Sequence, residues 1–250
     1  MSNLRKTAIV TGASGGIGLA VAKAFIDHDY NVVLHGTSKE KLNAVHAEID
    51  SPEDVLLVVA DVGEASDRQR LVNATLDRFG RIDVLVNNAG IFEPRPFLDV
   101  DETYLDRFLN VNLKGTFFLT QAAIPHFREV GRGSVINIGT VLVDHAIAGV
   151  PTTAPIASKG AIHALTGQLA AEFGKDNIRV NTIAPGIVRT PIHARNGIED
   201  ADSLAGLHLL DRIGEPEEIA NAALLLAESE FITCTIINVD GGHVAGHSIQ

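Results

Sequence analysis

Seven short apolar runs alternate along this chain with longer segments whose apolar residues recur at helical spacing. The runs are rich in valine and isoleucine and are apolar throughout, which is typical of strands buried on both faces. We predict strands at Thr7–Thr11, Asn31–His35, Asp54–Ala60, Asp83–Asn87, Ser134–Ile138, Arg179–Ile183 and Ile236–Val239. We predict helices at Gly16–His28, Lys39–Asp50, Glu64–Phe79, Asp101–Arg128, Ala154–Phe173 and Glu217–Ala227. This alternation predicts an α/β fold with a single doubly wound parallel sheet, Rossmann-like, with helices on both faces and ligands at the carboxyl ends of the strands.

Composition narrows the class of protein. The 250 residues fit one domain, 1–250, and the segment Pro185–Gly214, with its weak periodicity, is predicted to be a substrate lid. The net charge of -11 disfavours a nucleic-acid partner. Cys234 is the only cysteine, so the sequence predicts neither an internal disulfide nor a metal site. No apolar stretch is long enough for a signal peptide or a membrane span, and we therefore expect a cytoplasmic protein with no membrane partner.

A glycine-rich turn lies between the first predicted strand and the first predicted helix. It reads Thr11-Gly12-Ala13-Ser14-Gly15-Gly16-Ile17-Gly18. Glycine lets a backbone approach a pyrophosphate closely, and a helix N-terminus offers it N–H groups and partial positive charge. The alternative is an ordinary strand–helix turn. The position at the start of an α/β chain favours a dinucleotide site.

This turn resembles the cofactor loop of the short-chain dehydrogenase/reductase family, and further family motifs follow it in order. They are Asp61-Val62, Asn87-Asn88-Ala89-Gly90, Asn112 in Val111-Asn112-Leu113-Lys114-Gly115, Pro185-Gly186 with Thr190, Gly214-Glu215-Pro216-Glu217-Glu218-Ile219-Ala220 and Val239-Asp240-Gly241-Gly242. The resemblance runs from about Thr7 to Gly242 and is to members similar to 3-oxoacyl-(acyl-carrier-protein) reductases. It implies the following cofactor-binding residues: Gly12, Ser14, Gly15, Gly16, Ile17, Gly18, Asp61, Val62, Asn88, Ala89, Gly90, Lys159, Pro185, Gly186, Val188 and Thr190.

The resemblance also implies a homo-oligomer, commonly a tetramer. The contacts would come from Asp101–Arg128, Ala154–Phe173 and Glu217–Val239. Cys234 takes the place of a usual glycine there, and the neighbouring Glu228–Phe231 looks shortened.

The end of the second strand decides which nicotinamide cofactor is preferred. A carboxylate there would bind the adenosine ribose hydroxyls and repel a 2′-phosphate, and none is present. Thr37 and Ser38 can donate hydrogen bonds to a phosphate, and Lys39 or His35 can add charge, which favours NADP(H) over NAD(H). Against this, Gly15 stands where NADP-using relatives often carry arginine. The alternative is that Thr37, Ser38 and Lys39 only begin a helix, with Ser38 as its N-cap.

The family's catalytic set is incomplete in this chain. In the family a tyrosine donates the proton, and a lysine four residues later lowers the pKa of that tyrosine. Lys159 matches the lysine, but Pro155 stands four residues before it, and the only tyrosines are Tyr30 and Tyr104. Asn112 matches the family asparagine, and Thr140 keeps a hydroxyl where the family has serine. A proline suits the first turn of a helix, so what is lost is an acid, commonly worth about 10²–10⁴ in rate.

Two substitutes for the missing acid are open. One is a histidine, for which we favour His145 beside Asp144, with His193 and His208 in the lid as others. The other is a water held by Asn112 and Lys159. For each histidine the alternative is a solvated surface residue, and Ser158 is given no role.

We therefore expect an oxidoreductase that moves hydride between NADP(H) and a small-molecule carbonyl or secondary alcohol. Asn112, Thr140, Lys159 and His145 would form the catalytic set. Two alternatives remain open: a catalytically silent dinucleotide-binding sensor or assembly partner, and an enzyme of a different reaction type using the same glycine turn.

Overall fold

One parallel sheet of seven strands organises the protein. The computed structural model describes residues 5–49 and 52–246. The strands are β1 (Thr7–Val10), β2 (Asn31–Gly36), β3 (Val55–Val59), β4 (Val84–Asn87), β5 (Gly133–Ile138), β6 (Ile178–Pro185) and β7 (Ile236–Val239). Their order is β3-β2-β1-β4-β5-β6-β7, and every pair is parallel. The predicted fold class is confirmed.

Helices cover both faces of the sheet. They are α1 (Gly16–Asp27), α2 (Lys39–His46), α3 (Ala65–Phe79), α4 (Glu102–Phe108), α5 (Gly115–Val130), α6 (Thr153–Phe173), α7 (Ile192–Arg195) and α8 (Pro216–Glu228). Val10 of β1 belongs to the core beneath α1, α2 and α8, whereas its neighbour Ile9 belongs to the core beneath α3, α5 and α6. Successive strand residues point to opposite faces, so two buried faces explain the continuous apolar runs.

The structure differs from the predicted elements mainly at three places. The helix predicted over Asp101–Arg128 is divided into α4 and α5 by a π-helical turn at Leu109–Lys114, which contains Asn112. Such turns occur frequently at functional sites. The helix predicted over Lys39–Asp50 already ends at His46, and Asp50 lies outside the described residues. β7 is partly exposed, because within the sheet it pairs only with β6.

The strand order creates a crevice at the carboxyl edge. The chain runs outward from β1 to β3 and then returns to place β4 on the other side of β1. The loops after β1 and β4 therefore leave the sheet in opposite directions, and in doubly wound sheets ligands bind at this point. In residues 5–49 and 52–246, no helix is both long and apolar enough to cross a membrane.

Candidate active site

The glycine turn after β1 is shaped to let another molecule approach its backbone. Gly12 has φ +66°, and a Cβ there would lie 2.9 Å from the Asn88 amide nitrogen. A Cβ on Gly18 would lie 2.4 Å from the main-chain oxygen of Gly12, so this helix residue must be glycine. A Cβ on Gly15 would meet nothing within 4 Å, which shows that this side of the turn is open.

The N-terminus of α1 is suited to an anion. Gly15 is its N-cap residue, no side chain caps it within the described part of the chain, and its first turn contains no acidic residue. The first four N–H groups of a helix have no partner inside the helix and carry partial positive charge. The first turn includes Gly16, Ile17 and Gly18 of the predicted site. These features fit a pyrophosphate group.

Side chains from neighbouring strands fix the turn. Thr11 Oγ1 accepts hydrogen bonds from the main-chain N–H groups of Asn88 and Ala89, both at 2.9 Å. The Asn88 amide donates to the main-chain oxygens of Thr11 at 2.8 Å and Gly12 at 3.2 Å. These bonds join the β1 and β4 loops, so the predicted residues Asn88, Ala89 and Gly90 lie beside the glycine turn.

The structure places the residues predicted for cofactor choice at the corner after β2, and it contradicts the suggestion for one of them. Thr37 and Lys39 are exposed, and Ser38 caps α2 by accepting a hydrogen bond from Lys41 N at 3.3 Å, so its hydroxyl hydrogen remains available. Ser14 lies at the same corner, 3.3 Å from the Cβ position of Gly36. The suggestion that His35 supplies charge here is wrong.

Burial explains the correction at His35. The residue is 1% exposed, and burial lowers its pKa to about 4. An imidazole with that pKa is neutral at physiological pH, so it adds no charge toward a phosphate. Lys39 is left as the cation of the predicted set.

Asp61 and Val62, the predicted adenine-binding pair, follow β3. Asp61 is exposed, and its carboxylate accepts a hydrogen bond from Gly63 N at 2.8 Å. Val62 is buried, and a Cβ on Gly115 would lie 2.8 Å from its side chain. The pair is therefore held at the same edge as the glycine turn.

Lys159 reaches the carboxyl edge from α6. Its Nζ donates to the main-chain oxygen of Ile138 at 2.6 Å and lies 3.5 Å from the Cβ position of Gly90, which is an exposed residue. Burial lowers the pKa of Lys159 to about 8. Thr140 lies two residues beyond Ile138 and is half-buried. Its hydroxyl oxygen accepts from Leu142 N at 3.2 Å, and its hydrogen remains available to a substrate oxygen.

Asn112 is fully buried, and its side chain forms hydrogen bonds with Ile91 and Ser158 inside the protein. Its amide donates to the Ile91 oxygen at 3.1 Å and to Ser158 Oγ at 2.9 Å, while its oxygen accepts from Ile91 N at 2.8 Å. Both amide hydrogens are thus used. A water at this site can bind only to the remaining lone pair of the Asn112 oxygen, which narrows the predicted route through a water held by Asn112 and Lys159.

Ser158 has a role that the sequence prediction denied. It is fully buried, accepts from Asn112, and donates to the main-chain oxygen of Pro155 at 2.7 Å. Pro155 is the third residue of α6, where its missing N–H costs little. Ser158 therefore connects the π-helical turn to the first turn of the lysine-bearing helix. Its position directly before Lys159 was the available signal.

Three histidine rings from separate segments contact one another edge to face. The rings of His145 and His243 lie 5.2 Å apart, and those of His243 and His208 lie 5.4 Å apart. His208 is buried, its Nε2 accepts from Ile187 N at 3.1 Å, and its Nδ1 lies 3.2 Å from the Ala205 oxygen. Both nitrogens of His208 are thus bonded, so it is not suited to donate a proton to substrate. His145 is half-buried, and His193 Nε2 lies 2.7 Å from the Val188 oxygen.

The hydroxyls of both tyrosines have partners other than Lys159. The Tyr104 hydroxyl donates to the main-chain oxygen of Glu93. The Tyr30 hydroxyl, 3.5 Å from Lys6 Nζ, lies at the opposite edge of the sheet, where β2 begins. Burial raises the pKa of Tyr30 to about 12.

The segment Pro185–Gly214 approaches the glycine turn. The side chain of Thr190 lies 3.2 Å from the Cβ position of Gly16. Val188 bridges to Gly214, so the two ends of the segment are joined. Pro185 ends β6, and a Cβ on Gly186 would lie 2.9 Å from Asp240 Cα. The four predicted residues Pro185, Gly186, Val188 and Thr190 therefore run from the sheet edge toward α1.

The fold and the glycine turn thus define a doubly wound α/β protein, and known proteins are similar to it. The family described as enoyl-(acyl carrier protein) reductase matches residues 12–244. An uncharacterized oxidoreductase of Methylorubrum extorquens is 39% identical over 251 residues, covering 97% of this chain and 99% of that protein. The chain belongs to the short-chain dehydrogenase/reductase family.

Two solved structures are similar over nearly their whole length. A 3-ketoacyl-(acyl-carrier-protein) reductase from Brucella melitensis complexed with NADH has a TM-score of 0.90 and 30% identity, covering 96% of this chain and 98% of its own. The protein ElxO with NADP bound has a TM-score of 0.89 and 28% identity, covering 97% of this chain and 100% of its own. The resemblance to this family drawn from sequence motifs is confirmed.

Proposed function

We propose that this protein is an oxidoreductase that transfers hydride between NADP(H) and a small-molecule carbonyl or secondary alcohol, without a tyrosine acid. One observation carries the proposal: Lys159 Nζ lies 3.5 Å from the Cβ position of Gly90, in the loop that Thr11 and Asn88 bind to the glycine turn. A cation that reaches the substrate end and a turn that accepts phosphates thus share one edge of the sheet. This is what a dinucleotide enzyme requires.

The residues present fit a nicotinamide dinucleotide. The open side of Gly15 and the uncapped N-terminus of α1 would hold its pyrophosphate, and Lys159 would hold the nicotinamide ribose. When bound, the cofactor supplies the hydride. The relatives bound to NADH and to NADP support either form, and the exposed Thr37 and Lys39 support NADP(H) for this chain.

The proton must come from a group other than tyrosine, because Pro155 stands where the family tyrosine is expected. Lys159 has its pKa lowered to about 8 by burial, so its ammonium releases a proton close to neutral pH. A water bound between Lys159 and the substrate would pass on that proton. Thr140 would orient the substrate oxygen through its free hydroxyl hydrogen. His145 is the second proposed donor, since its ring is half-buried.

Turnover tests this function. Purified protein is incubated with NADPH and then NADH and a panel of carbonyl compounds, and cofactor absorbance is followed. We expect reduction of at least one compound, loss of that activity in Lys159→Ala, and retention in Lys175→Ala, at an exposed lysine in the turn that follows α6. Activity that survives Lys159→Ala overturns the role of the lysine. Absence of binding of either nicotinamide form overturns the proposal as a whole.

A second function is favoured by one specific observation. The Tyr104 hydroxyl is bonded to Glu93 and the Tyr30 hydroxyl to Lys6, so the structure gives Lys159 no tyrosine partner among the described residues. A protein that binds the dinucleotide without turnover, as a sensor or assembly partner, needs no acid. A Pro155→Tyr variant separates the two functions: gain of activity in this variant, with none in the parent on any compound, favours the silent protein.

We also propose that the protein forms a homo-oligomer. Phe117 and Phe118 on α5 are 41% and 40% exposed, and they lie within one of the predicted contact segments. Burying such side chains in a symmetric interface removes apolar surface from water. Light scattering coupled to size exclusion measures the mass, and a monomer across the accessible concentration range contradicts this proposal.

A further inference from the structure

His35 lies beneath the glycine turn and contacts it twice. It is the fifth residue of β2 and is 1% exposed. Its ring Nδ1 accepts a hydrogen bond from Gly12 N at 3.3 Å, and its main-chain oxygen accepts one from Ala13 N at 2.8 Å. One residue therefore binds two successive N–H groups of the turn.

The other ring nitrogen of His35 anchors the imidazole to a third strand. Nε2 lies 2.9 Å from the main-chain oxygen of Ala60, the residue after β3. Because Gly12 N can only donate, Nδ1 must be the acceptor, and the ring hydrogen must then be on Nε2, donated to Ala60. The ring thus joins the carboxyl ends of β1, β2 and β3.

The hydrogen bond from Gly12 N to His35 Nδ1 matters because the rest of Gly12 is already tightly constrained. Its φ is +66°, and its Cα side faces the Asn88 amide, 2.9 Å from the Cβ position. The Asn88 amide also donates to the Gly12 oxygen. Gly12 is therefore held by Asn88 on one side and by His35 on the other. The direction in which Ser14, Gly15 and Gly16 leave it depends on both.

We propose that His35 is a positioning residue of the dinucleotide site, acting through Gly12 without touching the cofactor. The inference rests on the proposed function, since it assumes that the glycine turn holds a pyrophosphate. On this proposal, cofactor affinity depends more on the hydrogen bond from Gly12 N to His35 Nδ1 than on the one from His35 Nε2 to the Ala60 oxygen. A preorganised turn avoids the cost of ordering the backbone when the cofactor binds.

Two amide substitutions separate the two bonds. The oxygen of an asparagine side chain reaches the position of Nδ1, so His35→Asn keeps an acceptor for Gly12 and loses the donor to Ala60. The nitrogen of a glutamine side chain reaches the position of Nε2, so His35→Gln keeps the donor to Ala60 and loses the acceptor for Gly12. His28→Gln, at an exposed histidine that ends α1, is the matched control.

The experiment measures dissociation constants for NADPH and NADH by fluorescence, with urea unfolding of each variant alongside. We expect His35→Gln to weaken both cofactors by about tenfold, equivalent to about 1.4 kcal/mol, with kcat at saturating cofactor within about twofold. His35→Asn should stay within about threefold of the parent, although both variants lose stability. Equal affinities in the two variants, whether both unchanged or both weakened, overturn the inference.

Failure of the proposed function gives a different result, because the unsubstituted protein itself then binds neither cofactor. If a variant does not fold, NMR on the unsubstituted protein tests the proposed role of His35 directly. Nitrogen shifts should show the hydrogen on Nε2 of His35, and hydrogen exchange at Gly12 N should be slow both with and without NADPH. A hydrogen on Nδ1, or rapid exchange at Gly12 in the presence of NADPH, rejects the role.

Discussion

Asn112 on the π-helical turn donates a hydrogen bond to Ser158 Oγ on α6, across 2.9 Å of fully buried space. Ser158 Oγ in turn donates a hydrogen bond to the main-chain oxygen of Pro155, in the turn that precedes Lys159. The helix that carries the lysine is therefore aligned by a residue of another element. This relation gives Asn112 a structural role at the site, although both its amide hydrogens are used inside the protein.

Replacing Ser158 with alanine should lower the free energy of unfolding by about 1–3 kcal/mol. The Asn112 amide would keep a buried hydrogen without an acceptor, and that is the usual cost of such a group. Urea unfolding measures the change. Asn112→Ala and the double variant complete a cycle. If the effects of Asn112→Ala and Ser158→Ala simply add, the two residues do not act on each other.

The lowered pKa of Lys159 predicts the pH dependence of carbonyl reduction. Burial lowers this pKa from 10.5 to about 8, so the ammonium form that supplies the proton is complete below about pH 7 and disappears as pH rises through 8. At saturating NADPH, kcat should be level at low pH and fall about tenfold per pH unit above 8. In Lys159→Arg, whose guanidinium stays charged, kcat should be much lower and should no longer decrease above pH 8. A rate that does not fall above pH 8 would reject Lys159 as the source of the proton.

Cofactor choice should depend on Lys39 and Thr37. Lys39→Ala should weaken NADPH by about tenfold or more, because a charged partner of the 2′-phosphate is worth about 1.5–3 kcal/mol, and should leave NADH unchanged. Thr37→Asp should reverse the preference by repelling that phosphate. Calorimetry with both cofactors measures these effects. Lys41→Ala, at another exposed lysine of α2, is the control. An equal loss of NADPH affinity in this variant would mean that the effect comes from general surface charge.

His35 should make the protein sensitive to mild acid. Burial lowers its pKa from 6.5 to about 4, against the smaller raising effects of its bond to Ala60 and of Asp61 and Asp67. The unfolded chain therefore binds a proton first, so this stability is complete above pH 6.5 and lost as pH falls toward 4. Between pH 7.5 and 5.5, His35 should account for a loss of about 1.3 kcal/mol. In urea unfolding, the free energy of unfolding of His35→Gln should therefore fall by about 1.3 kcal/mol less than that of the parent over the same pH interval. An unchanged pH slope would mean that the pKa of His35 is the same in the folded and the unfolded chain.

Cys234 adopts a backbone conformation that favours glycine. Its φ is +62°, and its side chain is exposed and free. Left-handed geometry costs a residue with a Cβ about 1–2 kcal/mol, part of which the greater freedom of unfolded glycine offsets. Cys234→Gly should therefore raise the free energy of unfolding by about 0.5–1 kcal/mol. Cys234→Ala keeps the Cβ and should show no gain. A gain with alanine would assign the effect to the thiol.

Much of the fold could be predicted because two-sided burial leaves a clear pattern. Strands such as Asn31–Gly36 are apolar on both faces, and the helices between them carry one apolar stripe. The division of α4 from α5 could not be predicted, since a π-helical turn changes one hydrogen-bond step and leaves the apolar spacing nearly intact. The exposure of β7 follows from its place at the edge, which depends on strand order.

The site was predictable where backbone shape dictates the residue. Gly12 and Gly18 must be glycine for steric reasons that leave a visible motif. The contacts of His35 and Ser158 could not be predicted, because the sequence does not distinguish a buried, hydrogen-bonded polar residue from an exposed one. His35 was misassigned for that reason: its charge depends on burial, which comes from the contacts of β1 and β3 on either side.

The bridge between Val188 and Gly214 has a consequence for how such proteins diversify. This bridge ties the two ends of the 185–214 segment together, and Arg189 bonds to Asp202 inside the segment and to Glu215 just after it. Closing a longer insertion costs little entropy. Related chains can therefore vary the length of this segment while its two ends stay in place beside the sheet.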